Sequence, residues 1–196
     1  MEKKLTIICL LIVMFYDSTF AQDPVFTQFH SIPTFLNPAF SGAGGKSRIS
    51  SSYRLQWPND GYKITTQYAS YDAWIEPMNS GLGISVRNHR EELTHYNFNK
   101  VELSYSYHVK LTHEWTFFPA LSVGYGIKNF NFQGLLLEDQ IDIKNGAINQ
   151  ESIDPFFSGN QIRFVDISTG FLLYNEKAWF GGVIKHLNKP DISFSN

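Results

Sequence analysis

A chain of 196 residues with a formal net charge of −2 implies no strong polyelectrolyte partner, and it shows no basic face for a nucleic acid. Aromatic residues make up 16%, with 17 Phe and 10 Tyr, while charged residues are only 17%, against about 25% charged in an ordinary soluble domain. The mean hydropathy of −0.20 excludes a helical membrane protein.

The first residues read as an export signal. Lys3 and Lys4 precede the apolar run LTIICLLIVMFY, and Thr19 and Ala21 stand at −3 and −1 of a cleavage before Gln22. The run is too short to span a bilayer as a helix. Cys9, the only cysteine, lies inside it. A mature chain with no disulfide must be held by a large hydrogen-bonded sheet, a metal or a membrane. Three regions follow: a signal peptide at 1–21, an extended periplasmic N-terminal segment at 22–46, and a partial β-barrel domain at 47–196.

The segment QDPVFTQFHSIPTFLNPAFSGAGGKS carries Pro24, Pro33 and Pro38 and ends in Gly42, Gly44 and Gly45. Proline lacks the donor that a ladder needs, so an extended or turning lead-in is expected there, not a strand. From Arg48 the chain alternates. RISSSYRLQW sets Arg48, Ser50, Ser52, Arg54 and Gln56 against Ile49, Tyr53, Leu55 and Trp57. After the turn PNDG, YKITTQYASYDAW is strand-like by its Tyr and Thr content, although its alternation is poor. LGISVRN and VELSYSYHVK alternate cleanly, as does the run from Phe117 to Lys128. In that run Phe117, Pro119, Leu121, Val123, Tyr125 and Ile127 face away from Phe118, Ala120, Ser122, Gly124, Gly126 and Lys128. Residues 130–161 have no sustained period, which suits a functional or mobile loop. IRFVDISTGFLLY and AWFGGVIKHL give two further strands, for about seven in all and no convincing helix. The connections at 58–61, 111–114 and 175–177 are short and those near 90–97 and 130–161 longer, as on the two rims of a barrel.

The polar faces decide between two all-β architectures. A soluble sandwich would show Lys, Glu, Asp and Arg to bulk water. The cleanest strands instead carry Ser104, Ser106, Ala120, Ser122, Gly124 and Gly126, which fit a crowded enclosed lumen. Their other faces fit the apolar band and aromatic girdles of an outer-membrane barrel. Trp57, Trp74, Trp115 and Trp179 fall near strand ends, where interfacial tryptophans are expected. Strands of about ten residues match the spanning length.

Four stretches then carry a resemblance. AQDPVFTQFHSIPTFLNPAFSG, YRLQWP, GLGISVRN with VELSYSYHVKL, and DISTGFLLYNEKAWFGGVIKHLNKPDISF resemble, in this order, the motifs of the PorP/SprF family of outer-membrane proteins. That family serves the type IX secretion system and gliding machinery of Bacteroidetes. Val183 and Ile184 replace the small residue usual in one strand. The resemblance implies an antiparallel up-and-down outer-membrane β-barrel, here an incomplete portion of about seven strands, because family members continue past the segment matching Lys189 to Phe194. An open sheet edge is costly in hydrocarbon, so a chain of this length is not expected to form a stable inserted barrel alone. The resemblance also implies a non-enzymatic role in exporting or anchoring surface cargo such as adhesins with a C-terminal sorting domain. The expected partners are outer-membrane lipid, periplasmic and outer-membrane secretion proteins, and that cargo. The loop at 130–161 is the expected outer contact and residues 23–42 the inner one.

Candidate chemistry is sparse, and no catalytic residue, metal ligand or cofactor site is predicted. His108 and His113 flank one turn and His89 and His95 another, which suits solvated hairpin ends rather than zinc ligands. Glu91 with Glu92 and Glu138 with Asp139 are adjacent loop acids. Lys63, Arg87 and Arg54 are expected to line the lumen. Asn37, Pro38, Ala39 and Phe40, with Phe26 and Gln28, are the candidate partner-binding residues; Asn-Pro is also plain turn chemistry, and a structural turn that plugs or caps the periplasmic rim is the favoured account of it. Two other functions remain open. One is a secreted or periplasmic β-sandwich that binds carbohydrate through exposed tryptophans. The other is a lipase-type barrel using Ser104, Ser106 and His108 on one inner face.

Overall fold

The computed structural model describes residue 26 and residues 29–59, 62–130, 141–142, 147–148 and 161–194. The expected signal peptide, Gln28, Glu138, Asp139 and most of the 130–161 connection lie outside these residues. The strands are β1 (Arg48–Gln56), β2 (Ile64–Ile75), β3 (Ser80–Glu91), β4 (Asn97–Tyr107), β5 (Val109–Lys110), β6 (Thr116–Asn129), β7 (Ile141–Asp142), β8 (Ala147–Ile148), β9 (Gln161–Tyr174) and β10 (Trp179–Ile184). One antiparallel sheet runs in the order β1-β2-β3-β4-β6-β9-β10, with β5 extending the pairing along β6 and a separate β7-β8 ribbon. The sheet curls as a half-barrel whose edges are β1 and β10. Among the described residues no helix is long and apolar enough to cross a membrane.

Strict side-chain alternation builds this curl. In β1 the exposed Ile49, Tyr53 and Leu55 alternate with the half-buried Arg48, Ser50, Ser52, Arg54 and Gln56. β2, whose sequence alternates poorly, alternates as sharply as the others: Thr66, Tyr68, Ser70 and Asp72 are buried, and Gln67, Ala69 and Tyr71 are exposed. The apolarity scale misleads there because an aromatic, Tyr68, points in while Gln67 points out. Pro119 is tolerated inside the central strand β6. Pairing with β4 stops at Ser106↔Ala120 and resumes with β5 at Val109↔Phe117, so the missing donor falls in the gap.

Following the register across strands gives level rows on the outer face. One row is Ile49, Tyr71, Ile84, Leu103, Val123 and Ile167, and the next is Ser51, Ala69, Val86, Val101, Tyr125 and Val165. These apolar rows are open, with Leu103 60%, Val123 44% and Tyr125 47% exposed. The buried residues lie on the concave side. One cluster joins Ala39, Phe118, Ala120 and Leu172, and the other joins Phe26, Ile32 and Tyr68. Both clusters contain residues of the N-terminal lead-in.

The lead-in forms a helical turn at Pro33–Leu36 between 3-10 turns at Phe29–Ser31 and Pro38–Phe40, because proline's fixed φ suits a first helical position. Three expectations need correction. The 58–61 connection lies at the same end of the sheet as the 92–96 and 130–160 connections, since β1 and β3 run the same way. The rim of short turns carries 76–79, 111–115 and 175–178 instead. Trp74 points inward and stacks on His108 at 4.2 Å, with Phe118 edge-on to the same imidazole at 4.0 Å, so Trp74 is not an interfacial tryptophan and His108 is not a solvated hairpin group. Lys63 precedes β2 and pairs with Glu92 at 3.9 Å rather than lining the lumen, whereas Arg87 does face inward and is buried.

Candidate functional site

The concave wall is occupied by the lead-in, and Asn37 is the residue that seats it. Asn37 is extended (φ −150°), between two turns that each begin with proline. Its Oδ1 accepts from the Ala39 amide at 2.9 Å, the geometry of a helix N-cap. Its Nδ2 donates to the backbone carbonyls of Phe171 and Gly182, both at 3.0 Å, so one side chain ties the turn to β9 and β10. Gly170 lies directly beneath; a Cβ there would overlap Asn37 Oδ1.

Residues farther along the lead-in clasp the strands on the other side. The Ser106 hydroxyl donates to the Ser41 carbonyl at 2.6 Å, and Ser41 and Ser104 hydroxyls meet at 2.7 Å. The Gly42 amide donates to Asp72 Oδ2 at 3.0 Å, and Arg48 donates to both oxygens of the same carboxylate at 3.0 and 3.2 Å. Arg48 also reaches the Phe40 carbonyl at 3.2 Å. Gly42 has φ +68°, and its missing side chain leaves room for Gly81 Cα. The segment from Asn37 to Gly42 therefore crosses the wall from β10 to β2.

Above it sits a line of buried charge. Lys100 pairs with Glu102 at 2.6 Å and with Asp166 at 2.5 Å, and Asp166 also accepts from His186 Nδ1 at 2.9 Å. The Arg87 guanidinium lies over the rings of Phe98 and Phe35, at 4.9 and 5.7 Å from their centroids. Lys185 donates to the Phe35 carbonyl at 3.2 Å. A cavity of about 30 Å³ lies between Thr34, Tyr68, Arg87, Lys100 and Glu102, room for a water molecule.

The candidate residues named from sequence fall as follows. Asn37, Pro38 and Ala39 are buried on the wall, and Phe40 is half-buried with its ring edge-on to Trp179 at 5.4 Å. Phe26 is buried between Phe35 and Tyr68, at 5.1 and 6.1 Å. Gln28 lies outside the described residues. Ser104, Ser106 and His108 share the inner face as expected, but the two hydroxyls are bonded to Ser41.

Comparison with known families decides what carries this wall. The family model described as Type IX secretion system membrane protein PorP/SprF matches residues 18–196. The chain belongs to the PorP/SprF family. No curated protein and no solved structure matches it. As a PorP/SprF chain it is a membrane component of type IX secretion, built as an antiparallel all-β half-barrel.

Sequence reasoning missed four residues of this PorP/SprF wall: Asp72, Lys100, Asp166 and His186. A signal was present for Lys100 alone: it falls on the polar parity of the cleanly alternating β4, with Glu102, Ser104 and Ser106, and a charge at that parity must find a partner across the lumen.

Proposed function

We propose that this PorP/SprF chain is a non-enzymatic component of the outer membrane, assisting export or surface anchoring of cargo with a C-terminal sorting domain, adhesins of the gliding machinery among them. One observation carries the reading. The Leu, Val and Tyr rows stand exposed on the convex side while Asp72, Lys100 and Asp166 are buried on the concave side. That is inside-out for a water-borne sheet and right for one with hydrocarbon outside. In a carbohydrate-binding sandwich the apolar rows would pack on a second sheet, and such a sheet is not found among the described residues.

The role follows as positioning. Connections at the long-loop end, 130–161 above all, would meet cargo outside, and the lead-in would meet periplasmic partners. Because Asn37, Pro38 and Ala39 are covered by the wall, they and Phe26, Gln28 and Phe40 would engage a partner when the lead-in leaves it. The exposed Gly44, Gly45, Lys46 and Ser47 supply the hinge.

Fractionation and deletion test the reading. With its β1 and β10 edges closed by further strands, its own or a partner's, the half-barrel is expected to remain with outer membranes after a carbonate wash, and its deletion to release sorting-domain cargo from the cell surface. Release of the chain by carbonate would sink the membrane assignment, and unchanged cargo display would sink the anchoring role.

A further inference from the structure

The outer face changes character above the apolar rows. The next level up runs Tyr53, Gln67, Asn88, Asn99, Ile127 and Arg163, with Ile127 between the amides and Arg163. The level above it carries Arg90, Asn97, Asn129 and Gln161, flanked by Leu55 and Thr65. Neither level contains a carboxylate. The amides are not scattered: Asn88 Nδ2 donates to Asn97 Oδ1 at 2.9 Å and to Asn99 Oδ1 at 2.7 Å. On the neighbouring strands Gln161 donates to Asn129 Oδ1 at 2.9 Å, and Arg163 donates to Gln161 Oε1 at 3.1 and 2.9 Å through Nε and Nη2.

Such a belt does not belong in hydrocarbon, where each amide lacking water is costly. It therefore marks the level at which the lipid tails end. The level lies at the end of the sheet with the long connections, which in barrels of this kind is the outer one. We propose that this belt binds the phosphorylated sugar headgroup of outer-leaflet lipid, with Arg90 and Arg163 on phosphate and the amides on sugar hydroxyls. The proposal rests on the outer-membrane reading above.

Charge and spacing commit it to that occupant. The two outward cations are exposed, and among the described residues the paired rows set no acid beside them. Guanidinium matches phosphate in a two-pronged geometry that an ammonium does not. Arg90 on β3 and Arg163 on β9 are three ladder steps and one level apart, about 16 Å at the usual strand spacing and rise, so they serve separate phosphates or the two ends of one large headgroup. A glycerophospholipid offers one phosphate and few hydroxyls, leaving most of the amides without a ligand.

The experiment uses the full chain exported to outer membranes. After carbonate washing it is extracted in mild detergent, and bound lipid is counted by native mass spectrometry for wild type, Arg90→Gln/Arg163→Gln and Arg90→Lys/Arg163→Lys. In a second arm the wild type is titrated with lipid A, dephosphorylated lipid A or phosphatidylglycerol. Expected are about a tenfold loss of retained lipid A in the Gln pair, a smaller loss in the Lys pair, and about tenfold tighter binding of lipid A than of its dephosphorylated form, the effect of losing one good charged contact. Equal retention by wild type and the Gln pair overturns the proposal while leaving the membrane reading intact. Equal binding of phosphatidylglycerol overturns the sugar assignment. If carbonate strips the wild type from the membrane, both readings fall, and wild-type titration decides the matter if the Gln pair fails to insert.

Discussion

The hydroxyl of Ser106 in β4 donates at 2.6 Å to the backbone carbonyl of Ser41, and both groups are fully buried. This bond joins a strand to a segment 65 residues before it. It explains why an inner face can be built of serine and glycine: main chain of the lead-in packs directly on it at this level.

Ser106→Ala is expected to leave the Ser41 carbonyl buried without its donor, lowering stability by about 1–3 kcal/mol. Urea unfolding in lipid vesicles would measure it, and an unchanged midpoint would show the clasp to be idle. Gly81→Ala goes further, because its Cβ would overlap the Ser41 carbonyl and backbone cannot swing aside. That variant is expected to expel the lead-in, read as new protease cleavage within residues 29–45.

At Asn37 the donor half of the amide matters more than the acceptor half. Asn37→Asp keeps an oxygen for the Ala39 amide but turns a negative group toward the Phe171 and Gly182 carbonyls. Asn37→Asp is expected to loosen the lead-in more than Asn37→Ala, itself costing about 1–3 kcal/mol. The reverse order in a proteolysis time course would mean that capping, not the bridge to β9 and β10, is what Asn37 contributes.

Lys100 and Asp166 keep 7% and 1% of their side-chain exposure, respectively. Removing one member strands the other charge, so Lys100→Met is expected to cost about 3–5 kcal/mol. Lys100→Met/Asp166→Asn should cost less than the sum of the two single changes. A double-mutant cycle on unfolding free energies gives the answer, and strict additivity would mean that the two groups are not coupled.

The lipid boundary makes its own contrast. Val123→Arg places a charge within the apolar rows, where about 2–4 kcal/mol is expected for a lipid-facing strand, whereas Gln67→Arg in the polar belt is expected to cost about 0–1 kcal/mol. Both sites are exposed, so a sheet bathed in water would show almost no difference between them.

Much of the fold was legible. β3, β4 and β6 announce themselves by period-two alternation, and the small inner faces pointed to a crowded enclosed interior. β2 did not, because its inner face mixes Thr66, Tyr68, Ser70 and Asp72 while Gln67 points outward, and an apolarity pattern cannot see a face chosen by its neighbours. Of the site, Asn37 to Phe40 were marked by their motif, but their location on the wall was not. Trp74 was misplaced for the same reason as Tyr68: an aromatic near a strand end suits a lipid interface or an inner stack equally well until its partner, here His108, is known.

By itself the sequence determined the main strands, the two faces of those that alternate cleanly (β3, β4 and β6), and the membership of the PorP/SprF family, because alternation and motif are properties of residues close together in the chain. Only the tertiary structure decided what fills the concave side. The contacts that settle it, Asn37 to Phe171 across 134 residues and Lys100 to Asp166 across 66, depend on how far the sheet curls and in what register, and no local pattern encodes either.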